Sequence, residues 1–120
     1  MQIQPDYAKA HYNLGVVYAS QEQYGRAAAS YQAALRLDPE NPRLLYNLGV
    51  VYNRLGRHRE AIAAYQRRLR LLTDDAEDAD TRFNMGMSQL LLGEREAARR
   101  QYQRLKTLDP KLAKQLLQRF

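Results

Sequence analysis

The chain has no cysteine and no tryptophan, and none of its apolar runs approaches the ~18 consecutive residues that a membrane-spanning helix needs. Disulfides and thiolate metal sites are therefore excluded, and the fold must be held by packing alone. Membrane insertion is not expected. Valine and threonine are sparse, while Ala, Leu, Gln and Arg are plentiful, a balance that favours helix over strand throughout. Met1 to Pro5 carries neither a basic patch nor an apolar core, so no signal peptide is expected and the cytoplasm is the favoured compartment.

Catalytic machinery is also missing. Ser20, Ser30 and Ser88 lack the glycine-flanked turn that exposes a nucleophile, and there is no Gly-rich phosphate loop. His11 and His58 each lack a second histidine nearby for a metal, and both read as residues at the edge of a core. No enzyme, no metal and no cofactor is expected. What remains is a chain of 120 residues, long enough to bury an apolar core, with 19 Lys and Arg against 13 acids and a net charge of +6 that attracts acidic partners.

The decisive feature is repetition. His11-Tyr12-Asn13-Leu14-Gly15-Val16-Val17-Tyr18 returns 34 residues later as Leu45-Tyr46-Asn47-Leu48-Gly49-Val50-Val51-Tyr52. A third copy, Arg82-Phe83-Asn84-Met85-Gly86-Met87, follows after 37 residues. Downstream, Ala27/Tyr31, Ala61/Tyr65 and Ala98/Tyr102 keep the same register. Tyr24, Ala27, Ala28, Tyr31, Ala34 and Leu35 fall on one helical stripe. Gly15, Gly49 and Gly86 sit inside helices, where glycine is costly unless a neighbour approaches closely. They are expected to face the large tyrosines of the second helices.

This pattern resembles the tetratricopeptide repeat, with its bulky first position, Leu-Gly, Tyr, Ala, an aromatic and Pro over 34 residues. The resemblance covers nearly the whole chain. It implies an all-α, right-handed superhelix (an α-solenoid) of three helix-turn-helix units with a C-terminal capping helix. The expected domain is one, residues 1–120, with repeats at about 8–41, 42–75 and 79–112. Helices are predicted at about 7–20, 24–37, 41–54, 58–72, 75–91, 95–107 and 111–119, with Pro39 and Pro110 stopping two of them.

Three departures carry information. Ile3-Gln4-Pro5-Asp6 matches the phase of Leu37-Asp38-Pro39-Glu40, so the first helix is expected to expose the face on which an upstream unit would stack. A fragment of a larger array is the favoured reading, and a homo-oligomer formed through that face is the alternative. The acidic insertion at about 74–80 invites calcium, but it has no glycine for a sharp turn, and helix capping by Asp74 with Glu77 fits better. Arg68 and Leu105 stand where Ala34 stands in the first unit, so packing onto the next unit is expected to loosen there.

The resemblance further implies that the first helix of each unit lines a concave groove. Its exposed stripe is Lys9, Tyr12, Asn13, Val16 and Ser20, then Arg43, Tyr46, Asn47, Val50, Asn53 and Arg54, then Asp80, Phe83, Asn84, Met87 and Leu91. The expected ligand is a protein or an extended peptide segment. Its side chains would lie against Tyr12, Tyr46, Phe83 and Met87, and Lys9, Arg43 and Arg54 favour acidic residues. Asn13, Asn47 and Asn84 recur in register and are similar to the asparagine ladder of the O-linked N-acetylglucosamine transferase repeat region, which grips peptide main chain. The competing reading is that these asparagines support a neighbouring helix.

The chaperone-binding subfamily clamps a terminal carboxylate with lysine, asparagine and arginine. Asn47 matches that clamp, but Tyr12, Val16, Asp80 and Asn84 replace its other residues, so a chaperone-tail receptor is not expected. A rival function is nucleic-acid binding by the arginines of the second helices, Arg57, Arg59, Arg67, Arg68 and Arg70, then Arg95, Arg99, Arg100 and Arg104 with Lys106. No aromatic residues interleave with them as stacking platforms, so a solvated convex face is preferred and nucleic acid is disfavoured.

Overall fold

The computed structural model describes residues 5–72 and 78–120. It contains α1 (Pro5–Ser20), α2 (Tyr24–Leu37), α3 (Pro42–Arg54), α4 (His58–Leu71), α5 (Asp78–Leu91), α6 (Arg95–Leu108) and α7 (Pro110–Leu117). No strand occurs among the described residues. Consecutive helices pair as α1/α2, α3/α4 and α5/α6, and the pairs stack into an all-α helical-repeat solenoid with overall extents of 47 × 29 × 20 Å.

Each pair is closed by the same tight turn. The backbone N–H groups of Gln23, Arg57 and Glu94 donate to the carbonyls of Tyr18, Tyr52 and Gln89, all at 2.8 Å, a six-residue closure that satisfies the end of the first helix. That turn needs a left-handed residue. Gly56 and Gly93 supply it at φ 78°, and Glu22 adopts it at φ 60° in the first unit. Between units, Asn41 caps α3 by accepting from the backbone N–H of Arg43 and Leu44, with Pro42 in the first turn. Asp109 and Pro110 repeat the arrangement for α7, so Pro110 opens that helix rather than merely stopping α6.

The mid-helix glycines are contact points. A Cβ on Gly15 would lie 2.6 Å from the Tyr31 ring, and one on Gly49 would clash with Tyr65, so each tyrosine packs directly on its partner's backbone. The third unit departs from this expectation. A Cβ on Gly86 would meet Leu116 at 2.8 Å and Gln101 Cβ at 3.3 Å, while Tyr102 is only half-buried. The reason lies in α7, which packs on both α5 and α6 and delivers the fully buried Leu116 into the space used by tyrosine in the first two units.

The core divides into two clusters. One joins the first two units and reaches Met85; the other gathers Ala79, Leu105, Ala113 and Leu116, flanked by Phe83, Met87 and Phe120. Stacking buries the same face of α3 and α5: Leu44, Leu48 and Val51 in one, Thr81, Met85 and Ser88 in the other. The corresponding Leu14 and Val17 of α1 are exposed, since no described helix packs on that face.

Candidate functional site

Side-by-side placement of α1, α3 and α5 carries the expected stripe onto one side of the molecule. A cleft of about 750 Å³ opens there at the N-terminal ends of these helices. From the predicted set it takes Lys9 and Tyr12 of α1, Arg43 and Tyr46 of α3, and Asp80 of α5. The loop before α3 adds Asp38 and Asn41, and the end of α4 adds Arg68 and Leu72.

Tyr12 and Tyr46 are held rigidly. Their rings sit 5.9 and 6.1 Å from those of Tyr31 and Tyr65, in tilted pairs. Their hydroxyls accept from the amide nitrogens of Asn47 at 3.2 Å and Asn84 at 3.1 Å, one unit further along. The register asparagines thus serve first to join adjacent units. Phe83, in the third unit's tyrosine position, has no hydroxyl, so the series ends there. Asn13 is exposed and has no side-chain partner among the described residues. A free ladder of three, as in the transferase repeat region, is not what this geometry presents. The same two amides also lie against the Tyr31 and Tyr65 hydroxyls, which leaves the carbonyl oxygens of Asn47 and Asn84 for a ligand.

The remaining predicted residues separate. Val16 and Arg54 are exposed and Val50 is half-buried, all further along the helices and outside the cleft. Phe83 and Met87 are half-buried against the C-terminal cluster. Asn53 is turned inward: its Oδ1 accepts from Ser88 Oγ at 2.7 Å and lies 2.8 Å from His58 Nδ1, and its amide donates to the Tyr65 hydroxyl at 3.4 Å. The Asn53 carbonyl oxygen is fully used, and only one amide hydrogen remains. Burial pushes the hydroxyls of Tyr31 and Tyr65 above their ordinary range near 10, Tyr65 much further; the neighbouring Tyr12 and Tyr46 add to the rise and asparagine hydrogen bonds partly offset it.

Arg68 corrects an expectation. In place of a loosened joint, its Nε donates to Thr81 Oγ1 at 2.9 Å, its Nη1 to the Pro42 carbonyl at 2.8 Å, and its guanidinium lies 5.2 Å from the centre of the Tyr46 ring. The long side chain spans the gap that Ala34 closes by small size, and it ties α3, α4 and α5 together. Thr81, standing where α3 has Leu44, is the sequence signal that could have revealed it: a polar residue facing the arginine across the joint. Leu105 likewise does not loosen its joint, being fully buried beneath α7.

Most arginines of the second helices are engaged within the molecule. Arg57 pairs with Glu60 at 3.4 Å, Arg59 with Glu94 at 3.3 Å and Arg99 with Glu96 at 3.9 Å. Arg67 donates to the Pro39 carbonyl and Arg95 to that of Phe120. Asp74 and Glu77, the expected capping pair, lie outside the described residues. Asp78 opens α5 and pairs with Arg82 at 3.5 Å, and no three potential metal ligands cluster among the described residues. No described helix is long and apolar enough to cross a membrane.

Sequence profiles described as tetratricopeptide repeat match residues 1–41 and 12–76, and a second of that description matches 80–112. Among curated proteins none matches by sequence. Solved structures are similar along most of the chain. The N-terminal domain of stress-induced protein 1 from C. elegans is 21% identical with a TM-score of 0.83, covering 96% of this chain and 95% of that one. The first TPR of Spaghetti (RPAP3), bound to an HSP90 peptide, is 23% identical with a TM-score of 0.83, over 97% and 92%. A variant of MamA is 25% identical with a TM-score of 0.79, over 87% and 74%.

Proposed function

The chain belongs to the tetratricopeptide-repeat family, and we propose that it is a protein-interaction module that holds an extended peptide segment of a partner in the concave cleft of α1, α3 and α5. The observation that carries this reading is the cleft itself, to which all three units contribute from equivalent positions: Lys9, Arg43 and Asp80, with Tyr12 and Tyr46 between them. Fixed aromatic faces offer apolar contact at little entropic cost, since their neighbours already hold them. Lys9 and Arg43 favour acidic side chains, while Arg54 lies beyond the cleft, and the carbonyl oxygens of Asn47 and Asn84 can accept from backbone N–H groups of the peptide. The structurally similar first TPR of Spaghetti holds an HSP90 peptide, which lends support to peptide as the ligand class.

The test is selection from a displayed peptide library, followed by anisotropy titration of the winners against three proteins. Lys9→Glu with Arg43→Glu is expected to weaken binding at least tenfold, and Arg99→Glu, Arg100→Glu with Arg104→Glu to leave it within about twofold. The opposite pattern, with a steep salt dependence, would transfer the function to the convex face and to nucleic acid.

A second reading, self-association, is supported by the outer face of α1. Tyr7, Leu14 and Val17 are 61%, 43% and 47% exposed, whereas Leu48 and Val51, at the corresponding places of α3, are 2% and 3% exposed. With α7 packed over the opposite end, the matching surface on a second copy is this same face, giving a two-fold dimer. Sedimentation across a hundredfold concentration range tests it; a mass that stays monomeric, or is unmoved by Leu14→Lys with Val17→Lys, discards it.

A further inference from the structure

The cleft is not uniformly basic. Lys9, Arg43 and Asp80 occupy one register position on three successive first helices, all three are exposed, and none makes an ion pair or side-chain hydrogen bond among the described residues. The other charged groups lining the cleft, Asp38 and Arg68, keep their charges but are held in place by hydrogen bonds to neutral groups. Asp38 accepts from Asn41 at 2.9 Å, and Arg68 is fixed between Pro42 and Thr81. The charged side chains that have no hydrogen bond of their own therefore run positive, positive, negative from α1 to α5. Hydrogen bonds from Asn47 to Tyr12 and from Asn84 to Tyr46 show that α1, α3 and α5 lie side by side in that order.

We infer that the cleft selects a peptide of mixed charge in a set register: an acidic side chain facing Arg43, a second acidic one facing Lys9, and a basic side chain facing Asp80. Neighbouring helices lie about 8–10 Å apart, and a peptide in the extended polyproline II conformation advances about 3.1 Å per residue with about three residues per turn, which brings side chains three apart onto one face. One unit of the solenoid is thus met by about three residues of ligand. The preferred pattern is acidic at i and i+3 and basic at i+6, or the same pattern reversed in chain direction. Wholly acidic segments are disfavoured, because their last acid would meet the Asp80 carboxylate. This inference rests on the peptide-binding reading and adds to it the composition and spacing of the ligand.

The probes are four labelled nine-residue peptides in one Ala/Gln/Tyr host: acid-acid-base at three-residue spacing, its reverse, acid-acid-acid, and a control with the mixed charges on adjacent residues. Titration at low and moderate salt against the wild-type protein and Asp80→Lys is read as a ratio of affinities. An exposed charge pair is worth up to about fivefold. The better of the two spaced mixed peptides is expected to beat both the all-acid peptide and the adjacent-charge control by about threefold or more. Asp80→Lys is expected to reverse the order, with the all-acid peptide becoming the tightest ligand. Asp80 is exposed, so this variant keeps the fold, which circular dichroism verifies. Equal binding of mixed and all-acid peptides by the wild type, unchanged in Asp80→Lys, overturns the register while leaving peptide binding standing. Failure of every peptide to bind, with the library selection also empty, overturns the peptide reading itself and this inference with it.

Discussion

The side-chain amide of Asn47 donates to the hydroxyl of Tyr12 at 3.2 Å, and Asn84 repeats the bond to Tyr46 at 3.1 Å. One residue type at one register position thereby stitches each unit to its predecessor, on the same surface where a ligand would lie. Stability and binding are coupled there, because an asparagine hydrogen spent on tyrosine is not available to a peptide.

Replacing Tyr12 by Phe removes one of these bonds and keeps the ring stacked on Tyr31. The expected cost is about 0.5–1.5 kcal/mol, the net worth of a typical hydrogen bond, read from the midpoint of urea unfolding. A loss much beyond that would mean that Asn47 is left buried and unsatisfied.

Arg68→Ala recreates the small residue that the first unit has at this joint. Because Arg68 holds Thr81, Pro42 and the Tyr46 ring, the variant is expected to lose about 1–3 kcal/mol of stability. An increase in stability would instead support the view that the arginine loosens the joint.

Glu22 occupies the left-handed turn position filled by Gly56 and Gly93 in the other units. Glu22→Gly relieves backbone strain and gives back part of the gain through a more flexible unfolded chain, so a net stabilisation of about 0.5–1 kcal/mol is expected in thermal melts.

The buried Tyr65 hydroxyl titrates well above the ordinary tyrosine value, so in the alkaline range the folded chain keeps a proton that the unfolded chain releases. Stability from this source is complete below about pH 10 and falls as pH rises beyond it, and Tyr31 contributes in the same direction. Tyr65→Phe is expected to flatten the fall of unfolding free energy between about pH 10 and 12 relative to the wild type. An equal slope in both proteins would place the alkaline loss elsewhere.

Most of the helix boundaries, the pairing of helices and the exposed face of α1 were legible in the sequence, because periodicity, caps and glycine placement are local and recur at 34 residues. The groove stripe was legible only as a list of positions on one side of each first helix. Helical periodicity says which way Asn53 points, and it says nothing of the Ser88, His58 and Tyr65 side chains that arrive from other helices to occupy its carbonyl oxygen and one amide hydrogen. Phe83 and Met87 were drawn towards the C-terminal cluster for the same reason.

Repetition in the amino-acid sequence by itself determined that this is a tetratricopeptide solenoid, since each unit carries its own turn, small contact residues and apolar stripe. Tertiary structure alone decided which polar groups remain free. The Asn47 and Asn84 amides bridge units, Arg68 clamps a joint, and Leu116 fills the place beside Gly86 that Tyr102 was expected to take. Each of these outcomes depends on a partner supplied by a separate helix, and satisfying a buried polar group or filling a void is a property of the assembled neighbourhood, not of any single segment.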